Sequence, residues 1–206
     1  MTIRLHRGDL PDQDLARYAG SAAIDTETMG LNPHRDRLCV VQMSPGDGTA
    51  DVIQIARGQH DAPNLKKLLG DPAVVKIFHF ARFDLAALYN ALGVMPQPVY
   101  CTKIASRLTR TYTDRHGLKD LVRELLNIDL SKQQQSSDWG AQTLSDAQLA
   151  YAASDVLHLH ALRGRLDAML AREDRAGMAQ ACFEFLPTRA RLDLCGWRDE
   201  DILAHS

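Results

Sequence analysis

The chain has 206 residues, 45% of them apolar and 24% charged, with a net charge of −2. It is long enough to bury a proper core and too apolar for a disordered segment. Its near balance of charge excludes a polycation that coats nucleic acid, so any such partner must be held by a local basic patch.

Residues 22–25 (AAID) are short, apolar and end in an acid, which predicts a buried strand. Residues 38–43 (LCVVQM) and 49–55 (TADVIQI) predict two more, and the turn-rich SPGDG between them makes the pair a β-hairpin. A helix is expected over 63–69, a buried strand over 73–79 (AVVKIFH), a helix over 81–92 and, after the break GVMPQP, a short strand over 99–101. From Thr102 the chain reads as helical: 102–109, 117–126, and one long helix from about Ser145 to about Ala171, with Ser145 and Asp146 as a plausible N-cap. The tail over 173–206 is a packing arm, helical and then polar, with Cys182, Phe183, Phe185 and Leu186 as its buried face.

Strands cluster early and helices late. That favours an α/β fold with a mixed sheet flanked by helices, in a single domain over 1–206. The rival is a doubly wound nucleotide-binding sheet, which needs G-x-G-x-x-G after its first strand; Gly46 and Gly48 fall instead in the hairpin turn. The opening MTIRLHRGDLPDQDL has no apolar stretch long enough for a signal peptide, and no run elsewhere could span a bilayer. Cys39, Cys101, Cys182 and Cys195 form no CxxC pair and read as free thiols, which points to a reducing, cytoplasmic setting.

Three weak acidic signals recur along the chain. Asp25-x-Glu27 ends the first strand, where residues two apart share a face and their carboxylates converge. Converging carboxylates repel unless a cation lies between them, and all-oxygen ligands suit Mg²⁺ or Mn²⁺ better than Zn²⁺. Alone, such a pair is usually just solvated. Asp84 falls in the first turn of a helix after a buried strand, where an acid commonly serves only the helix dipole. Tyr151 and Asp155 lie four apart on a helix and share a face, as in any amphipathic helix.

Together, in this order, the signals resemble the ribonuclease D family, 3′-5′ exonucleases of the tyrosine-containing branch of the DEDD superfamily. Asp25-Thr26-Glu27-Thr28 with Gly30-Leu31 is similar to the first exonuclease motif, His79 with Asp84 to the second, and Tyr151 with Asp155 to the third. Gly117 to Trp139 resembles the linking segment, ending in Lys132, Ser137, Asp138 and Trp139, and Leu144 to Leu159 matches the last motif throughout. The likeness runs in register over about 20–165. It implies a ribonuclease H-like fold and two-metal hydrolysis of phosphodiester bonds from the 3′ end of single-stranded RNA, tRNA precursors among the candidates, releasing nucleoside 5′-monophosphates. Two Mg²⁺ or Mn²⁺ ions are implied: Asp25 would bridge them, Glu27 and Asp155 would hold the one carrying the attacking water, Asp84 would hold the other, and Tyr151 would orient that water.

Met29 and Leu31, directly after the acidic pair, are candidates to pack on terminal bases, with core packing as the alternative. His79 is expected to order the site. Arg82, Arg107, Arg110, Arg115, Lys119 and Lys132 are candidate phosphate contacts, Lys132 foremost because it lies inside the matched segment. A zinc site on His158 and His160 is rejected, since residues two apart on a helix face different ways. Phe80 stands where many superfamily members have Asn, and Cys101 where Asp is frequent. Larger relatives carry helical nucleic-acid-binding domains after the catalytic one, and this chain is expected to work without them. The alternatives are a DNA 3′-5′ exonuclease on the same fold and a non-catalytic nucleic-acid-binding module, the latter disfavoured because all four acids and the Tyr are present.

Overall fold

A computed structural model describes residues 2–131, 134 and 136–205. The strands are β1 (Thr2–Arg7), β2 (Ser21–Thr28), β3 (Leu38–Ser44), β4 (Thr49–Gln54), β5 (Val75–Phe78) and β6 (Val99–Cys101). They form a sheet in the order β1-β4-β3-β2-β5-β6. β2, β3 and β4 are antiparallel neighbours; β5 and β6 extend the sheet in parallel on one side, and β1 pairs in parallel with β4 on the other. The hairpin is present, with Gly46 and Gly48 both at positive φ in its turn.

β3 is buried along its whole length, which explains its continuous apolar run: elements cover both faces. The helices are the short α1 (Asp12–Leu15), then α2 (Pro63–Gly70), α3 (Ala81–Leu92), α4 (Thr102–Thr109), α5 (Leu118–Leu126), α6 (Asp146–Leu157), α7 (Leu159–Arg172) and α8 (Ala176–Leu194). α6 lies across β1 to β4 and covers a small cluster of Cys39, Val40, Val52, Trp139, Leu144 and Ala152. α3 packs against β2, β3, β5 and β6, with α8 behind it. No helix among the described residues is long and apolar enough to cross a membrane.

Three expectations need correction. The sheet has a strand, β1, that the sequence did not announce. TIRLHR is too polar to read as a strand; it is held by its ladder to β4 and by the fully buried Asp51, which accepts from Tyr18 at 2.6 Å and pairs with His6 at 2.9 Å and with Arg17. The long helix is two, broken at His158 (φ −104°, ψ −5°). Ala152, Val156, Leu159, Leu162, Leu166 and Leu170 are all buried at helical spacing across the break, so periodicity cannot mark it. The break appears because α6 packs on the sheet while α7 packs on α4 and α5. In α8 the buried stripe is Ala179, Phe183, Leu186, Ala190 and Asp193; Cys182 is only half-buried and Phe185 is exposed, since both fall off that face.

Candidate active site

β2 supplies Asp25 and Glu27 at its end, with a register shift after Glu27. Across the ladder Asp25 faces Gln42 of β3, whose Nε2 donates to Asp25 Oδ2 at 2.6 Å. Gln42 is fully buried and was not anticipated; its signal was the lone polar residue in LCVVQM. α3 supplies Asp84 from its first turn, accepting from the Thr26 hydroxyl at 2.6 Å. α6 supplies Tyr151 and Asp155 one turn apart. Its start is fixed by a capping box: the Gln148 amide donates to Ser145 Oγ at 3.2 Å and the Ser145 amide to Gln148 Oε1 at 2.9 Å. Tyr151 lies against Trp139, ring centres 6.0 Å apart, and its hydroxyl interacts with Asp155.

The structure therefore gathers all four acids and the Tyr. Ligand oxygens of Asp25, Glu27 and Asp155 lie within 4.8 Å of one another. Asp84 sits beside this trio, close enough to raise Asp25. Asp25 is held well above the usual carboxylate range, by burial first and then by Asp84, Asp155 and Glu27. Burial, then Asp155 and Asp84, pushes Glu27 up to about 8. Asp84 and Asp155 are also pushed up, chiefly by burial. Among the described residues no Lys or Arg forms an ion pair with any of the four. A crowded, oxygen-only donor set without a counter-cation is what Mg²⁺ or Mn²⁺ fits.

This makes the metal-free protein pH-sensitive. A carboxyl whose folded pKa is raised stays protonated in the native state after the unfolded chain has ionised. The resulting loss of stability begins near the unfolded value of about 4 and is complete above the folded one, about 8 for Glu27. In EDTA the melting temperature should fall as pH rises through that window, and Mg²⁺ should restore more of it at pH 8 than at pH 6. Equal Mg²⁺ effects at both values would refute a site built from these carboxyls.

Asp25, Glu27 and Asp155 line a cavity of about 340 Å³, whose wall also carries Lys103, Lys119, His79 and Phe80, while Asp84 is buried. His79 bonds Thr102 Oγ1 through Nδ1 at 2.9 Å, and burial, then Lys103, pushes it down to about 3, so it is neutral. Glu27 also opens onto a second cavity, of about 430 Å³, where Met29 and Leu31 lie exposed beside Trp139, which removes core packing as their role. Lys119 lines the first cavity, whereas Lys132 lies outside the described residues. Arg82 is instead bound to Asp193 (Nη2 to Oδ1 at 2.7 Å), which also accepts from Arg189 at 2.8 Å, tying α8 to the helix that carries Asp84. Arg110 is fully buried, donating to Glu124, Ser106 and the Arg115 carbonyl. Arg107 and Arg115 are solvent-exposed. His160 bonds Ser21 Oγ at 3.1 Å and packs on Gly46, away from any ligand set with His158. Lys103 carried no sequence signal; only the fold brings the start of α4 to this wall.

A family model described as 3′-5′ exonuclease matches residues 14–171. The chain belongs to the 3′-5′ exonuclease family. The chain is 66% identical to Brucella melitensis NrnC bound to pGG, over the whole of both chains and with a TM-score of 0.97. It is 65% identical to the same protein with bound Mg²⁺, again over the whole of both chains, with a TM-score of 0.96. It is 39% identical to ribonuclease D of Gluconacetobacter diazotrophicus over 74% of its own length but only 38% of that relative. Escherichia coli RNase D is 25% identical, with a TM-score of 0.81 over 97% of this chain and 54% of that one. The chain thus spans about two fifths to half of these two ribonuclease D proteins. Its mixed sheet and flanking helices are the ribonuclease H-like fold that the resemblance implied.

Proposed function

We propose that the chain is a metal-dependent exoribonuclease that removes nucleotides from the 3′ end of single-stranded RNA, acting as one catalytic domain. The observation that carries this reading is the convergence of Asp25, Glu27 and Asp155 within 4.8 Å, lining a cavity together with Tyr151, with the buried Asp84 beside them. The relative bound to pGG, 66% identical throughout, supports an RNA-like ligand, and its Mg²⁺ form supports the metal.

Asp25, Glu27 and Asp155 would hold one divalent ion, and Asp25 with Asp84 a second. Two such ions supply charge stabilisation for the attacking and leaving oxygens and acidify the attacking water. Gln42 fixes Asp25, and Thr26 fixes Asp84, so neither carboxylate must be ordered on binding. Tyr151 stays protonated at neutral pH, because burial and then Asp155 raise it, and it orients the water through its hydroxyl. Lys103 and Lys119 would meet backbone phosphates, and Met29 and Leu31 the terminal bases. The four unpaired cysteines fit the cytoplasm as the place of action.

End-labelled RNA tests the direction of attack. A 5′-labelled oligomer should give a ladder, and a 3′-labelled one should release mononucleotide at once. A 3′-phosphate should slow the reaction strongly. Internal cleavage of a circular RNA would overturn the reading.

A further inference from the structure

Phe80 sits in the left-handed region (φ 69°, ψ 45°) as the N-cap of α3. The two other described non-glycine residues at positive φ are Asn127 and Asp174, types that tolerate it. A bulky aromatic there is a genuine outlier. It also provides no side-chain cap for α3, where Asn, Asp or Ser would. Position 80 therefore gives up stability twice. What is obtained is an aromatic ring, 46% exposed, at the rim of the acidic cavity and shared with the neighbouring cavity lined by Pro33, Arg82 and Phe83. The ring is held: the Lys103 ammonium lies 4.3 Å from its centre. Strain that persists at a site's rim indicates use by the site.

We infer that Phe80 is a stacking platform for a nucleobase of the bound strand, with Lys103 steadying the ring and placing a positive charge beside the adjoining phosphate. This rests on reading the chain as a 3′-5′ exonuclease. Stacking on an aromatic ring accepts any base, because every base has a π-face, and it requires an unpaired one. The platform therefore makes the enzyme tolerant of sequence and selective for single-stranded ends.

The test compares Phe80→Asn, Phe80→Leu and Phe80→Tyr in the Asp25→Asn background, so that RNA stays intact. The ligand is a short single-stranded RNA with 2-aminopurine at one of its last two positions. Asn suits the left-handed backbone and can cap α3, so Phe80→Asn should melt no lower than its parent. It should nonetheless bind roughly tenfold to a hundredfold more weakly, the usual range for losing one base–aromatic stack, and lose the fluorescence quench. Phe80→Leu keeps an apolar side chain without the ring and should lose both as well, whereas Phe80→Tyr should keep both. Retained affinity and quench in Phe80→Asn or Phe80→Leu would overturn the platform, as would an equal loss in Phe80→Tyr. Failure of the exonuclease reading itself would show separately, as the absence of a 3′-5′ ladder from the unsubstituted chain.

Discussion

Asp25→Asn should abolish turnover and, in EDTA at pH 8, raise the melting temperature. Both effects have one cause. Asp25 is the most crowded acid of the four, raised by burial and by all three of the others. That crowding is useful only when cations occupy the cluster, and it is a cost when they do not. Replacing Oδ1 or Oδ2 by an amide removes the charge while keeping an oxygen that can still accept from Gln42 Nε2. The fold should therefore hold. Groups that act as one unit fail together, so the loss of rate should be at least the ~10²–10⁴-fold of a single positioned group and should approach that of removing the metal altogether. Single-turnover assays and thermal melts on the same preparation measure the two effects. Full activity in Asp25→Asn, or in EDTA, would eliminate the metal mechanism.

Tyr151→Phe should slow catalysis by ~10²–10⁴-fold while leaving RNA affinity and stability close to those of the parent. Only one oxygen is lost. The ring still packs against Trp139 at 6.0 Å, and the carboxyls remain in place. Asp155 loses a hydrogen-bonding partner, but its other surroundings are unchanged. What disappears is the hydroxyl proposed to place the attacking water. If Tyr151 merely packed, Phe would be tolerated and the rate would scarcely move. Comparing single-turnover rate with equilibrium RNA binding separates these outcomes, and a near-normal rate would remove Tyr151 from the mechanism.

Local pattern carried much of this protein by itself. The apolar runs of β2 to β5, the 3.6-residue spacing of α3 to α7 and the Ser145 cap are short-range properties, set by side-chain direction and backbone hydrogen bonding within a few residues. The same short range placed Asp25 and Glu27 on one face of a strand and Tyr151 and Asp155 on one face of a helix. Which faces then meet is not a local property. Gln42 reaches Asp25 only through the register of β3 on β2, and Lys103 reaches the wall beside Phe80 only because α4 follows β6 at the sheet edge. Arg82 looks like a phosphate contact in sequence, yet its partner Asp193 lies 111 residues on, brought to it by α8 packing on α3. β1 is a strand because β4 offers it a ladder and Asp51 a buried anchor, although its own residues are too polar to say so. Elements and shared faces follow from the chain's own periodicity. Partners across the core, the break at His158 and the strained Phe80 follow from packing, which balances distant surfaces against local preference.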